Sequence, residues 1–66
     1  MMSDYKRFIG YMVAAAAEKR LSFADMGRIL RVHEKTVRNW ISFRTMMPAD
    51  AAIRAIQHIM GGIYQC

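Results

Sequence analysis

Ser22-Phe-Ala-Asp-Met-Gly-Arg-Ile-Leu-Arg-Val-His-Glu-Lys-Thr-Val-Arg-Asn-Trp-Ile-Ser-Phe43 is the stretch on which the fold turns. Ser22 and Asp25 have the spacing of a capping box, in which a hydroxyl and an acid three residues on satisfy each other's backbone N–H groups. Leu21 can staple onto Met26 across that start. A helix is predicted from Phe23 to near Leu30, with Phe23, Met26, Ile29 and Leu30 facing inward and Gly27 on the same side. The missing side chain at Gly27 permits close helix contact but lowers helix propensity. Arg31-Val32-His33 then reads as a tight turn into a further helix, Glu34 to Ser42, whose apolar positions Val37, Trp40 and Ile41 recur at i, i+3 and i+4. The other face of that helix carries Glu34, Lys35, Arg38, Asn39 and Ser42, which can donate to or accept from base edges and phosphates.

Working outward, Tyr5, Phe8, Ile9, Met12, Val13, Ala16 and Ala17 recur at helical spacing opposite Lys6, Arg7 and Lys19. A first helix is predicted from Asp4 to Arg20, with Ser3 as its N-cap and Asp4 as a favourable first-turn acid. Its four alanines leave one stretch thin enough for another helix to come close. A helix lying on a membrane surface is the rival reading of this segment. After a loop of Phe43, Arg44, Thr45, Met46 and Met47, Pro48 suits a first helical position, with Asp50 in the first turn. Ala52, Ile53, Ile56, Ile59 and Met60 are predicted inward, and the helix is predicted to stop at Gly61-Gly62. The Met46-Met47 pair reads as loop packing, with a partner interface as the alternative. Ile63 and Tyr64 are two sizeable apolar side chains that a lone monomer would leave wet, so a homodimer contact is expected in this C-terminal region.

Composition agrees with helices. The chain has 66 residues, 55% of them apolar, with one proline and no alternating run long enough for a sheet, so an all-α fold in a single domain over residues 1–66 is expected. The net charge is +5, and the sequence pI is near 10.0. Between Ser22 and Arg44 lie five bases (Arg28, Arg31, Lys35, Arg38, Arg44) and two acids (Asp25, Glu34), so three of the five net charges fall there. Such a balance favours polyanionic partners, nucleic acid first, over acidic proteins or neutral ligands. The lone Cys66 has no partner for an internal disulfide and no leader pattern opens the chain, so an intracellular compartment is expected. The longest apolar run, Met12 to Ala17, is far short of a bilayer span. His33, His58 and Cys66 show no short ligand pairing, so no metal or other cofactor is expected. Nor is a small-molecule substrate or an enzymatic role: there is no nucleophile with a base, no Gly-rich phosphate loop and no evident carboxylate pair.

Two short helices joined by a tight turn, the second amphipathic with a polar outer face, form the unit that lodges one helix in the major groove of DNA. The Ser22–Phe43 run resembles, without a gap, the lambda-repressor/Cro-like helix-turn-helix family. Ser22, Asp25, Met26, Leu30, Val32, Thr36, Val37 and Trp40 match the family in kind or identity, and Pro48 to Ile56 looks like its following helix. The resemblance covers about two-thirds of the chain and implies a compact four-helix domain. Three positions depart from the family. Arg31 stands where a glycine is usual, Phe23 replaces a polar residue that in relatives often touches phosphate, and Gly27 replaces a small alanine.

Carried over position by position, the resemblance implies that Glu34, Lys35, Arg38 and Asn39 face the bases, with Thr36, Ser42 and Arg44 nearer the phosphates. Arg28 and Arg31 would add sequence-independent phosphate attraction, and His33 reads as a turn residue or a phosphate contact. Trp40, Val37, Met26 and Ile53 are expected to be core. Arg38 or Lys35 could donate to guanine, Asn39 could pair with adenine, and Glu34 could accept from cytosine. The function expected is a sequence-specific regulator of transcription, a repressor binding as a homodimer to an inverted-repeat operator in double-stranded DNA. The resemblance points to phages and mobile elements, including Cro-like and anti-CRISPR-associated repressors, and hence to the cytoplasm of a bacterial or phage-infected cell. A protein-interaction module, antitoxin-like or adaptor, and a non-specific architectural DNA binder are the competing readings.

Overall fold

In the computed structural model, which describes residues 4–61, the chain forms four α-helices among those residues: α1 Asp4–Glu18, α2 Phe23–Leu30, α3 Glu34–Ile41 and α4 Ala49–His58. The start of α2 follows from its capping chemistry. The Ser22 hydroxyl accepts the Asp25 N–H at 3.1 Å, and the Asp25 carboxylate accepts the Ser22 N–H at 3.0 Å, so both halves of the box are engaged. The Ser22 backbone N–H first, then the Ser22 hydroxyl beside the carboxylate, with a smaller attraction from Arg28, hold the Asp25 carboxyl below its ordinary pKa.

The first three helices share one way of ending. A residue one or two positions past each end is left-handed, with φ of 57° at Arg20, 61° at Arg31 and 63° at Phe43. The next N–H then reaches back five residues, Leu21 to Ala16, Val32 to Gly27 and Arg44 to Asn39, each at 2.9 Å. This is the Schellman closure, which satisfies carbonyls that a helix end would leave bare. It makes two predicted ends too long: α1 stops at Glu18 rather than Arg20, and α3 stops at Ile41 with Ser42 as its cap. At α4 the proline stands one position earlier in the helix than expected. Pro48 is the extended N-cap, its carbonyl accepting the Ala52 N–H at 3.0 Å, and Ala49 opens the helix. The helix also closes before the glycines, because the N–H groups of Ile59 and Met60 both reach the Ala55 carbonyl, at 2.9 and 2.8 Å.

The largest fully buried side chains are Met12, Met26, Leu30, Val37, Ile59 and Met60, and Trp40 closes over them at 4% exposure. Small residues on α1 (Ala15, Ala16) and α4 (Ala51, Ala55) complete the core. With so little side chain on those faces the helices sit close: α2 packs against both α3 and α4, and α1 against α3. The Tyr5 hydroxyl accepts the Met47 N–H at 3.0 Å, tying the loop before α4 to the first turn of α1. Among the described residues no polar or charged side chain is buried, so every ionisable group is left facing water or another surface group.

Two expected inward residues face outward. Ile53 is 54% exposed, because the inward line of α4 runs through Ala51, Ala55 and on to Ile59, and a residue two places on from Ala51 lies about 200° round the helix. Ala17 is exposed because the inward line of α1 runs through Met12, Ala15 and Ala16, so that Ala15 joins the expected Ala16 in the core. No described helix is long and apolar enough to cross a membrane.

Candidate nucleic-acid interface

The surface of α3 is fixed by what its other side buries. Val37 is fully buried and Trp40 nearly so, which turns Lys35 and Arg38 outward and leaves Glu34, Thr36 and Asn39 half-exposed. The helix starts at His33, an exposed residue in extended conformation whose Nδ1 accepts the Lys35 N–H at 3.1 Å. An imidazole that accepts through Nδ1 carries its proton on Nε2, so this residue offers a donor outward while capping the helix. His33 is thus the N-cap of α3, a role the sequence did not signal, since Ser, Thr, Asp and Asn lead at that position. At the other end the Ser42 hydroxyl donates to the Arg38 carbonyl at 2.8 Å and lies 3.3 Å from that of Asn39. In this arrangement its hydrogen is directed back at the helix.

The connection between α2 and α3 is held tightly against α2. A Cβ built on Gly27 would lie 2.7 Å from the Val32 carbonyl oxygen and 3.3 Å from the Glu34 nitrogen, both backbone atoms. Glycine is required here by the connecting backbone rather than by a neighbouring helix. Arg31, with φ 61° and ψ 42°, supplies the left-handed step that brings Val32 onto Gly27. An arginine therefore takes the left-handed conformation in which the family pattern has glycine, at a strain of about 1–2 kcal/mol.

Of the cations expected to face DNA, two have partners on their own helices. Arg28 pairs with Asp25 at the start of α2, and Arg38 pairs with Glu34, 2.7 Å between Nη2 and Oε2. Arg38 also lies over the ring of Phe23, its guanidinium carbon 5.2 Å from the ring centroid. The α2–α3 arrangement thus brings Phe23, Glu34 and Arg38 together across two elements. Arg31, Lys35 and Arg44 are exposed and enter no ion pair among the described residues.

Comparison with protein-family models, curated proteins and solved structures returned no match. What the site can do therefore rests on its own residues.

A group the sequence reading passed over sits at the loop after α3. Phe43 packs edge-on against Tyr5, ring centroids 6.1 Å apart, with the Lys6 amino group 5.4 Å from the Phe43 centroid. Lys6 is thereby placed beside the residue preceding Arg44, so α1 contributes a cation near the end of the Ser22–Arg44 charge cluster. The spacing of Lys6 and Arg7 on the outer face of α1 was the available signal. Those two residues, with Gly10 and Tyr11, also line an open cavity of about 390 Å³. The expected dimer residues Ile63 and Tyr64, like Ser3, Gly62 and Cys66, lie outside the described residues.

Proposed function

We propose that this chain is a helix-turn-helix protein of the lambda-repressor-like kind that binds double-stranded DNA sequence-specifically and represses transcription by occupying an operator. The observation that carries this reading is the placement of α3. Val37 and Trp40 anchor one side in the core, and the opposite side presents Lys35, Arg38, Asn39 and Glu34 on a short helix that follows α2 through a tight turn. A duplex major groove admits one helix offering such groups, and base edges supply the complementary donors and acceptors. Arg31 and Arg44 then face the phosphates as charges, and His33 as an outward N–H donor.

The operator is an inverted repeat bound by a homodimer, with half-sites about 34–36 Å apart, one helical turn of DNA. Selection of bound sites from random duplexes tests the whole reading. A motif of two symmetric half-sites is the expected result, and recovery of no preferred sequence overturns it. Affinity should also fall steeply with salt, by about 0.9 in logarithmic slope per phosphate neutralised.

A second reading is favoured by one observation. Tyr11, Phe43, Met46 and Ile53 leave about half or more of their surface in water, which suits an antitoxin-like or adaptor module that holds another protein. Joint replacement of Arg38 and Asn39 by alanine separates the two: DNA regulation collapses, whereas a protein complex survives.

A further inference from the structure

Arg38 is an exposed cation held by two other side chains. Its Nε and Nη2 both donate to one oxygen of Glu34, at 3.1 and 2.7 Å, and the face of its guanidinium lies over Phe23. Glu34 sits one turn before it on α3, while Phe23 comes from the first position of α2, so the clamp spans both helices. The side chain remains 59% exposed. What the clamp leaves unengaged is the far edge of the guanidinium, Nη1 and the second hydrogen of Nη2.

We infer that Phe23 and Glu34 are positioning residues that convert Arg38 from a phosphate contact into a fixed reader of guanine. The inference rests on the DNA-binding reading above and deepens it. A free arginine beside DNA is drawn to phosphate by charge, and it samples many rotamers. Here Glu34 cancels most of that charge, so a phosphate field gains little from Arg38. The parallel N–H donors survive the pairing, and two parallel donors match the O6 and N7 acceptors on the major-groove edge of guanine. The ring beneath holds the guanidinium plane, so less side-chain freedom is lost on binding. Phe23 accordingly acts on specificity without touching a base, in place of the polar, phosphate-facing residue of the family pattern.

The test is quantitative selection on random duplexes with the wild type, R38A, E34Q, F23L and F23W, each checked by thermal melting. The wild type should prefer guanine at one base pair per half-site, and R38A should abolish that preference. E34Q removes a negative charge from the DNA-facing surface, so total affinity should rise while the guanine preference falls. A role in stability alone would not move those two readouts in opposite directions. F23L should weaken the same preference about two- to fivefold, the worth of one exposed cation–π contact, and F23W should restore it. Because E34Q alters an exposed ion pair, it keeps the test valid should F23L fold poorly. If the guanine preference withstands E34Q, or E34Q shifts preference at a different base pair, Glu34 does not position Arg38 and the inference falls. Absence of any motif from the wild type removes the DNA reading and this inference together, whereas an intact motif insensitive to the clamp removes this inference alone.

Discussion

Gly10 and Gly27 both lie within helices, and a methyl group would affect them oppositely. At Gly10 a Cβ meets nothing within 4 Å, so Gly10→Ala should stabilise the fold by about 0.5–1 kcal/mol through reduced backbone entropy in the unfolded chain. At Gly27 the same atom would press on the Val32 carbonyl, and Gly27→Ala should destabilise by about 1–3 kcal/mol, as overpacking does. Denaturant midpoints for the two variants check both signs in one experiment. The sequence showed that Gly27 stood on the inner side of its helix. It did not show what presses there, because the neighbour is backbone brought in by the left-handed turn at Arg31, and backbone leaves no pattern in side-chain periodicity. Phe23 is a similar case. Its apolar spacing marked it for the interior, and its half-exposed ring beneath Arg38 became visible only once α2 and α3 were placed side by side.

Helix starts and helix ends were unequally legible. Ser22 with Asp25 announced the start of α2 to the residue, since capping is done by identifiable side chains. The ends of α1 and α3 were overrun because the residues that take the left-handed turn, Arg20 and Phe43, are not the glycine or asparagine that usually marks such a stop. The capping box also sets a pH response. Asp25 has a lowered pKa when folded, so its contribution is complete above the unfolded value and is lost as pH falls through the folded one. Thermal melts of the wild type should therefore show stability falling on acidification through and below the ordinary aspartate range. Ser22→Ala removes one cap bond, so it should cost about 1 kcal/mol at neutral pH and flatten that acid limb. An acid limb unchanged by the substitution would show that other carboxylates set it.

At the scale of the molecule, the fold class, the four segments and the outward face of α3 could all be read from periodicity, while the orientation of α4 could not. Ile53 looks like a stronger claimant to the core than Ala51 or Ala55. Yet the close approach of α2 selects the side with less bulk. Ile53→Ser should accordingly change stability by less than about 0.5 kcal/mol, whereas Ile59→Ala, which empties a fully buried site, should cost about 2–5 kcal/mol. Equilibrium unfolding of the two variants tests this orientation directly. A large loss from Ile53→Ser would mean that its exposed face is covered in solution, and sedimentation would then report a second chain.

Four of the core side chains are methionines, Met12, Met26, Met47 and Met60, while Met46 stands 71% exposed beside them. Peroxide can convert the Met46 thioether to a sulfoxide without disturbing the folded chain. It reaches Met12, Met26 or Met60 only when the helices separate, and the oxygen it adds is too polar to be sealed back inside. Sulfoxide accumulating at those three positions, read by peptide mass spectrometry, therefore reports how often the helices part, and each oxidised molecule stays out of the packed fold until the sulfoxide is reduced.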